Sequence, residues 1–225
     1  MISQERAYLG PFFVFLAFLL VLEVVTRIGD GTAQWFLASP SYWIFPLQTV
    51  VCGGLLWKWR RAYDFRPLSG WSTAIAIGLT ALAVWVAPQW LFHAAPRTNG
   101  FDPGFFGASA GAYGANLTLR LIRMIVVVPL VEEIFWRGWL LRYLVHDDFR
   151  TVPFGTFTWK SFLISSGAFC LEHQFADWPA ALLTGALFNL VAYRTKSLAA
   201  CVVTHAVTNA GLAVYILKTG QFGFW

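Results

Sequence analysis

Apolar residues form long, nearly continuous stretches along this chain, and polar residues collect between them. The apolar stretches lie at residues 8–26, 42–59, 71–93, 117–145, 160–176, 178–194 and 197–218. A helix needs about 20 mostly apolar residues to cross about 30 Å of hydrocarbon, and most of these stretches approach that length. The pattern therefore predicts an all-α fold, a polytopic integral membrane helix bundle with about seven transmembrane helices.

Two segments depart from this simple pattern. The fourth stretch, 117–145, is too long for one straight crossing and contains Pro129, which predicts a kink or a break. Between residues 94 and 116, five glycines interrupt the chain, and this predicts a loop, either external or re-entrant. An eighth span within that loop is the alternative. With no internal repeat and no domain boundary, we expect a single transmembrane domain over residues 1–225.

Composition supports a lipid environment and excludes several classes of protein. Of the 225 residues, 58% are hydrophobic and 12% are charged, whereas a soluble domain has about 25% charged residues. The chain is too hydrophobic for disorder, and its formal net charge of +5 is not gathered into one basic run, which argues against nucleic-acid binding. The three cysteines all lie in apolar stretches, so a disulfide framework is not indicated.

The positive residues predict an orientation for the bundle. If the N-terminus is cytoplasmic and the chain crosses seven times, cytoplasmic segments carry ten Lys and Arg residues, and the opposite side carries three. Cytoplasmic loops of membrane proteins are enriched in Lys and Arg. The sequence therefore predicts a multi-pass protein of the cell (inner) membrane with a cytoplasmic N-terminus.

Several ionisable residues fall inside the predicted spans, where a charge costs about 2.5–3.5 kcal/mol on insertion scales. Glu132, Glu133 and Arg137 lie in the fourth stretch. Glu133 and Arg137 are four residues apart, so they share a helix face and can pair, which leaves Glu132 available. A purely structural polar cluster between helices is the alternative. Glu23 also falls in a span, where we expect it to be buried and find no partner for it.

The fifth and seventh stretches add further polar residues at membrane depth. Glu172 and His173 lie in the fifth stretch, and His205 and Asn209 share one helix face in the seventh. Counted from the predicted cytoplasmic ends, Glu132, His173, His205 and Asn209 lie about 10 to 18 Å deep. Their similar depths allow side chains from three helices to converge in one site.

These residue types suit the hydrolysis of an amide by water. A carboxylate and a neutral imidazole can together bind a water molecule and remove its proton. An imidazole and a carboxamide one helical turn apart, as at His205 and Asn209, can donate hydrogen bonds to the oxyanion that forms as a carbonyl becomes tetrahedral. The set predicts a hydrolase that forms no covalent intermediate.

Three motifs resemble those of a known family. Glu-Glu-x-x-x-Arg at 132–137, Phe-x-x-x-His at 169–173 and His-x-x-x-Asn at 205–209 occur in the order found in the CPBP intramembrane proteases. That family includes the type II CAAX prenyl endopeptidases and bacteriocin-processing proteins. The resemblance covers about residues 117–218, which we expect to be the catalytic helical core. It is closest to the bacterial CAAX-protease-related branch associated with exosortase systems.

The resemblance implies roles for individual residues. It implies a membrane-embedded endopeptidase in which Glu132 is the general base and His173 also holds the attacking water. His205 and Asn209 would form the oxyanion hole, while Glu133 and Arg137, as supporting residues, would orient Glu132. Glu172 departs from the apolar residue that is more usual before the motif histidine, and we expect it to support the site.

The resemblance also sets expectations for ligands and partners. No cofactor is expected. The expected partners are the lipid bilayer and a membrane-anchored or lipid-modified peptide or protein substrate, with no nucleic acid. The sequence carries no signal for an oligomeric state.

Three alternatives to this mechanism stay open from the sequence. A zinc-dependent membrane hydrolase would use Cys170, His173, Cys201 and His205 as ligands. A cysteine protease would use Cys170 or Cys201 as its nucleophile, although a deeply buried thiol is inert. A transporter or non-enzymatic membrane partner would use the same buried charges as a proton or ion path, but no inverted repeat is evident.

Overall fold

The chain folds into a bundle of helices. The computed structural model describes residues 2–107 and 109–225, and in this part of the chain it contains eight helices and no strand. They are α1 Ile2–Gly29, α2 Trp35–Ala38, α3 Ser41–Trp59, α4 Trp71–Leu91, α5 Ala110–Tyr143, α6 Trp159–Cys170, α7 Trp178–Thr195 and α8 Leu198–Thr219. The predicted all-α fold is confirmed.

Among the described residues, five helical segments are long and apolar enough to cross a membrane. They are Gln4–Gly29, Trp71–Leu91, Ala110–Tyr143, Phe175–Thr195 and Leu198–Thr219. Helix α3 forms where the second span is predicted but is not one of these five, and α6 has 12 residues. At 1.5 Å per residue, α6 is about 18 Å long and too short to cross the hydrocarbon core alone. The polytopic bundle is therefore supported, and seven crossings stay a prediction.

Helix α5 runs through Pro129 without the predicted break. The stretch just before the proline, Arg123–Val127, is π-helical, and Val128 donates its N–H to the first carbonyl of that stretch. In this register the next donor would be Pro129, which has no N–H. The carbonyl of Met124 is therefore left free, and it accepts a hydrogen bond from Asn209 Nδ2 at 2.8 Å. A π-helical turn and a side chain from α8 accommodate the proline, so the helix continues.

The predicted loop at 94–116 is shorter than the sequence indicates. Helix α5 already begins at Ala110, and Ser109 caps it by accepting a hydrogen bond from the Ala112 N–H at 3.3 Å. A serine N-cap of this kind favours helix initiation. The cap and the long apolar helix behind it outweigh the low helix propensity of Gly111.

The predicted helix at 160–176 also ends early, because α6 stops at Cys170. The chain then turns, and α7 begins at Trp178 with a proline in its first turn, where proline is favoured. Helices α6 and α7 pack against each other as a hairpin. Glu172 and His173 therefore lie at the tip of this hairpin, residues 171–177, and not within a helix.

Close packing fixes α8 against α4. A Cβ atom at Gly78 would lie 2.7 Å from the carbonyl oxygen of Thr204, so only glycine permits this approach. Thr208 Oγ1 donates a hydrogen bond to the Gly78 carbonyl at 2.9 Å. Small residues and hydroxyl groups are typical of such contacts between membrane helices. The contact holds α8, which carries His205 and Asn209, at a defined position.

The sequence-based expectation for Glu23 is wrong. Its side chain is 57% exposed on α1 and accepts a hydrogen bond from Arg27 Nε at 2.7 Å. The two residues are one helical turn apart, so the pair forms within the helix itself.

Candidate active site

A cavity of about 410 Å³ brings together residues from three parts of the bundle. Its lining includes Glu132 from α5, Glu172 and His173 from the hairpin tip, and His205 and Asn209 from α8. The volume lies within the range of sites for small ligands or short peptide segments. Residues separated by up to 77 positions in the chain thus face one space.

Glu133 and Arg137 do not line this cavity but form an ion pair behind it. Both side chains are fully buried, and Arg137 Nη1 donates to Glu133 Oε1 at 3.1 Å. The same oxygen lies 2.9 Å from His205 Nδ1. Because a carboxylate oxygen accepts, Nδ1 carries the proton and donates it, and this fixes the orientation of the imidazole. The other nitrogen, Nε2, then lies 4.0 Å from Glu132 Oε2.

Arg137 joins α5 to α7 through its remaining donors, and Asn189 extends the contact to α6. Arg137 lies in a second π-helical stretch of α5, and its Nε donates to Asn189 Oδ1 at 3.0 Å while its Nη2 donates to the Gly185 carbonyl at 3.1 Å. Asn189 Nδ2 in turn donates to Ser166 Oγ on α6 at 3.0 Å. The buried guanidinium thus satisfies acceptors on α5 and α7, as a buried charge requires.

Sequence reasoning did not assign Asn189 to the site. The available signal was an amide within an apolar helix, four residues after Gly185 and therefore on the same face. That signal indicates a polar contact but names no partner. Only the packing of α7 against α5 identifies Arg137 as the group it binds.

His173 is oriented by the end of helix α6. Its Nδ1 lies 2.9 Å from the carbonyl oxygen of Phe169, one of the last carbonyls of the helix, which lack partners within it. A carbonyl only accepts, so Nδ1 is the protonated nitrogen. In the neutral imidazole Nε2 then carries a lone pair. His173 can therefore accept a hydrogen bond from a water molecule in the cavity.

Glu172 places a second carboxylate at the cavity. Trp136 Nε1 donates to Glu172 Oε2 at 2.8 Å, and this bond joins the hairpin tip to α5. Glu172 Oε1 is buried without a hydrogen-bond partner in the part of the chain that the structure describes. The tryptophan bond orients the Glu172 side chain, which stands beside His173.

Asn209 has a structural contact as well as a place in the cavity lining. One hydrogen of its amide binds the Met124 carbonyl, as described above. A carboxamide has two N–H donors, so the second stays available for a ligand.

The cysteine and histidine residues of the zinc alternative do not form a cluster. Within residues 2–107 and 109–225, no group of three His, Cys, Asp or Glu side chains is arranged to hold a metal ion. Cys170 packs in the same apolar cluster as Phe169, whereas Cys201 is fully buried in a second cluster with Leu141. The proposed zinc ligands are thus separated by apolar packing.

Long apolar helices around a cavity lined by carboxylates and imidazoles define a polytopic membrane protein with a polar internal site. Residues 114–211 match the family model described as type II CAAX prenyl endopeptidase Rce1-like. This match covers less than half of the chain, and it agrees with the family that the three motifs resemble. The matched segment contains all three motifs. No curated protein and no solved structure matches the chain.

Proposed function

We propose that this protein is an intramembrane endopeptidase that hydrolyses a peptide bond of a membrane-anchored or lipid-modified peptide or protein. One observation carries the proposal: Glu132, His173, His205 and Asn209 line the same cavity. The family match over the same segment supports the reaction class.

In the proposed mechanism, Glu132 and His173 hold the attacking water between them. Glu132 takes a proton from the water, while His173 Nε2 accepts a hydrogen bond from its second hydrogen. The water oxygen then bonds to the carbonyl carbon of the substrate, whose oxygen becomes negatively charged. Glu132 delivers the proton to the leaving nitrogen as the C–N bond breaks, so no covalent enzyme intermediate forms.

The hydrogen bond from His205 to Glu133 constrains how His205 acts. Since Nδ1 already donates to Glu133, Nε2 can donate to an oxyanion only if the imidazole is protonated on both nitrogens. Asn209 supplies the second donor through its free N–H. We therefore propose an oxyanion hole made of an imidazolium and a carboxamide.

Replacing Asn209 with Ala lowers kcat by about 10²- to 10³-fold, because one oxyanion donor is lost. Loss of the Met124 contact also lowers the melting temperature. Thr204→Val is the matched control, since Thr204 bonds only a helix carbonyl on α8 and does not line the cavity. We expect the control to melt earlier but to keep its kcat. Equal loss of kcat in both variants would show that Asn209 acts through structure alone.

The double variant Cys170→Ala with Cys201→Ala keeps its cleavage activity, because both thiols lie in apolar packing. Alanine preserves the apolar character of both positions and removes both sulfur ligands. Cleavage rate and metal content by mass spectrometry are measured together. Loss of activity accompanied by loss of bound zinc would instead favour the zinc hydrolase.

The cellular location, the orientation and the branch of the family are proposed from the sequence. We propose a location in the cell membrane with a cytoplasmic N-terminus, supported by the excess of Lys and Arg on that side. We also propose membership of the exosortase-associated branch, which the resemblance over residues 117–218 supports.

A further inference from the structure

Two arginines on α5 lie buried without an acidic partner. Arg120 and Arg123 are 3% and 8% exposed, and neither forms an ion pair within the described ranges 2–107 and 109–225. Their guanidinium carbons lie 4.2 and 4.5 Å from the ring centroid of Phe45, so both cations lie close to one aromatic ring. Buried charges without a counter-ion are strongly destabilising in protein interiors and in membranes. An anionic ligand would offset this cost.

Arg123 is the one of the two that faces the catalytic cavity. Its Nε donates to Gln48 Oε1 at 2.6 Å, and Gln48 Nε2 donates to the Phe15 carbonyl at 2.9 Å. Gln48 is fully buried, so its amide holds the guanidinium in one orientation. Neither Nη atom of Arg123 has a hydrogen-bond partner in the described part of the chain. The free fork of two N–H groups matches the geometry of a carboxylate.

Arg123 differs from the other arginine of the cavity in having no ion-pair partner among the described residues. Arg97 lines the cavity too, but it is paired with Asp177. The carboxylates of Glu132 and Glu172 also line it, and neither lies within ion-pair distance of Arg123. Arg123 is therefore the cavity cation whose charge is unmatched among the described residues.

We propose that Arg123, oriented by Gln48, anchors a carboxylate of the peptide substrate. This inference rests on the proposed function and names the substrate class: peptides with a carboxylate near the scissile bond. Arg123 precedes Glu132 by nine residues on α5. That separation corresponds to a rise of about 14 Å, or on the order of four residues of extended peptide. The carboxylate is the α-carboxylate of the substrate or an acidic side chain at that distance.

Binding is measured with the Glu132→Gln protein in phosphatidylcholine vesicles, so that no cleavage intervenes. The probes are pools of N-terminally palmitoylated peptides whose last six positions are randomised without Asp or Glu. One pool has a free C-terminal carboxylate, one is amidated, and a third is amidated but carries one Glu among those positions. Each pool is tested again with three double variants, in which Glu132→Gln is combined with Arg123→Gln, with Arg123→Lys or with Lys58→Gln. The last is the control, because Lys58 is an exposed cation outside the cavity.

We expect the free-acid pool, the Glu-containing pool or both to bind about 10- to 100-fold more tightly than the plain amide. Arg123→Gln abolishes this preference, Arg123→Lys reduces it because the planar fork is lost, and Lys58→Gln retains it. The pool that shows the preference identifies the source of the carboxylate. Equal binding of all three pools, or a preference that survives Arg123→Gln, would overturn the inference.

Three further outcomes separate the peptide anchor from a lipid-binding site, from a protease without the anchor, and from a receptor that binds peptides without cleaving them. Loss of the preference when phosphatidylglycerol replaces part of the phosphatidylcholine would identify a lipid phosphate as the ligand and overturn the peptide assignment. Cleavage is then measured with Glu132 restored. Cleavage of all three pools at equal rates contradicts the anchor but leaves the protease intact. Selective binding without any cleavage supports the anchor and contradicts the proposed function.

Discussion

Replacing Glu132 with Gln lowers the rate of peptide cleavage by about 10²- to 10⁴-fold, while the protein keeps its fold. The amide has the size of the carboxylate but cannot take a proton from water. Glu132 lines the cavity and forms no ion pair shorter than 4.0 Å in the part of the chain described. Its replacement therefore does not deprive a buried cation of a close counter-ion. Cleavage is measured by mass spectrometry of the products.

The matched control for this variant is Glu23→Gln, since Glu23 is exposed on α1 and lies outside the cavity that Glu132 lines. We expect it to cleave at the wild-type rate. Size-exclusion profiles and melting temperatures of both variants establish that the fold is intact. A Glu132→Gln protein that cleaves as fast as Glu23→Gln would remove Glu132 from the mechanism.

Replacing Arg137 with Met lowers the free energy of unfolding by about 3–5 kcal/mol, because it removes the guanidinium from a buried ion pair and leaves buried acceptors without their donor. Arg137 donates to Glu133, to Asn189 and to a backbone carbonyl, all in the interior. Arg137→Lys restores the charge but lacks the planar fork that reaches three acceptors, so we expect it to regain only part of the stability. Unfolding is followed by denaturant titration in detergent micelles.

Arg150→Gln is the control for that experiment. Arg150 pairs with Asp148 at the surface, where an ion pair adds little to stability. We expect its unfolding curve to overlay that of the wild type. If Arg137→Met unfolded with the same midpoint as this control, the buried network would not support the site as described.

The sequence predicted the fold class and the positions of most helices because hydropathy alone determines where a chain can cross a membrane. Each of the seven apolar stretches contains a helix of the bundle. The unusual cost of a charge in hydrocarbon also made Glu132 and Glu133 stand out, since such residues are retained for a reason. Both of these inferences depend on local composition and need no knowledge of packing.

The remaining features depend on contacts between distant segments. The turn after Cys170 is not visible in the hydropathy pattern, and it moves His173 from a helix to a hairpin tip. The continuity of α5 at Pro129 depends on an amide from α8. The unmatched charge of Arg123 becomes evident only when the surrounding helices are in place. Local patterns predicted the chemistry, whereas tertiary packing determines which groups meet.

Cleavage of a membrane-anchored peptide by the purified protein is the direct test of the proposed endopeptidase activity. The wild-type protein and the Glu132→Gln variant are placed in separate vesicles with the palmitoylated peptide pools, and new peptide termini are identified by mass spectrometry. We expect new termini with the wild type and none above background with the variant. A wild type that produced no new termini, or two proteins that produced the same ones, would contradict the proposed activity.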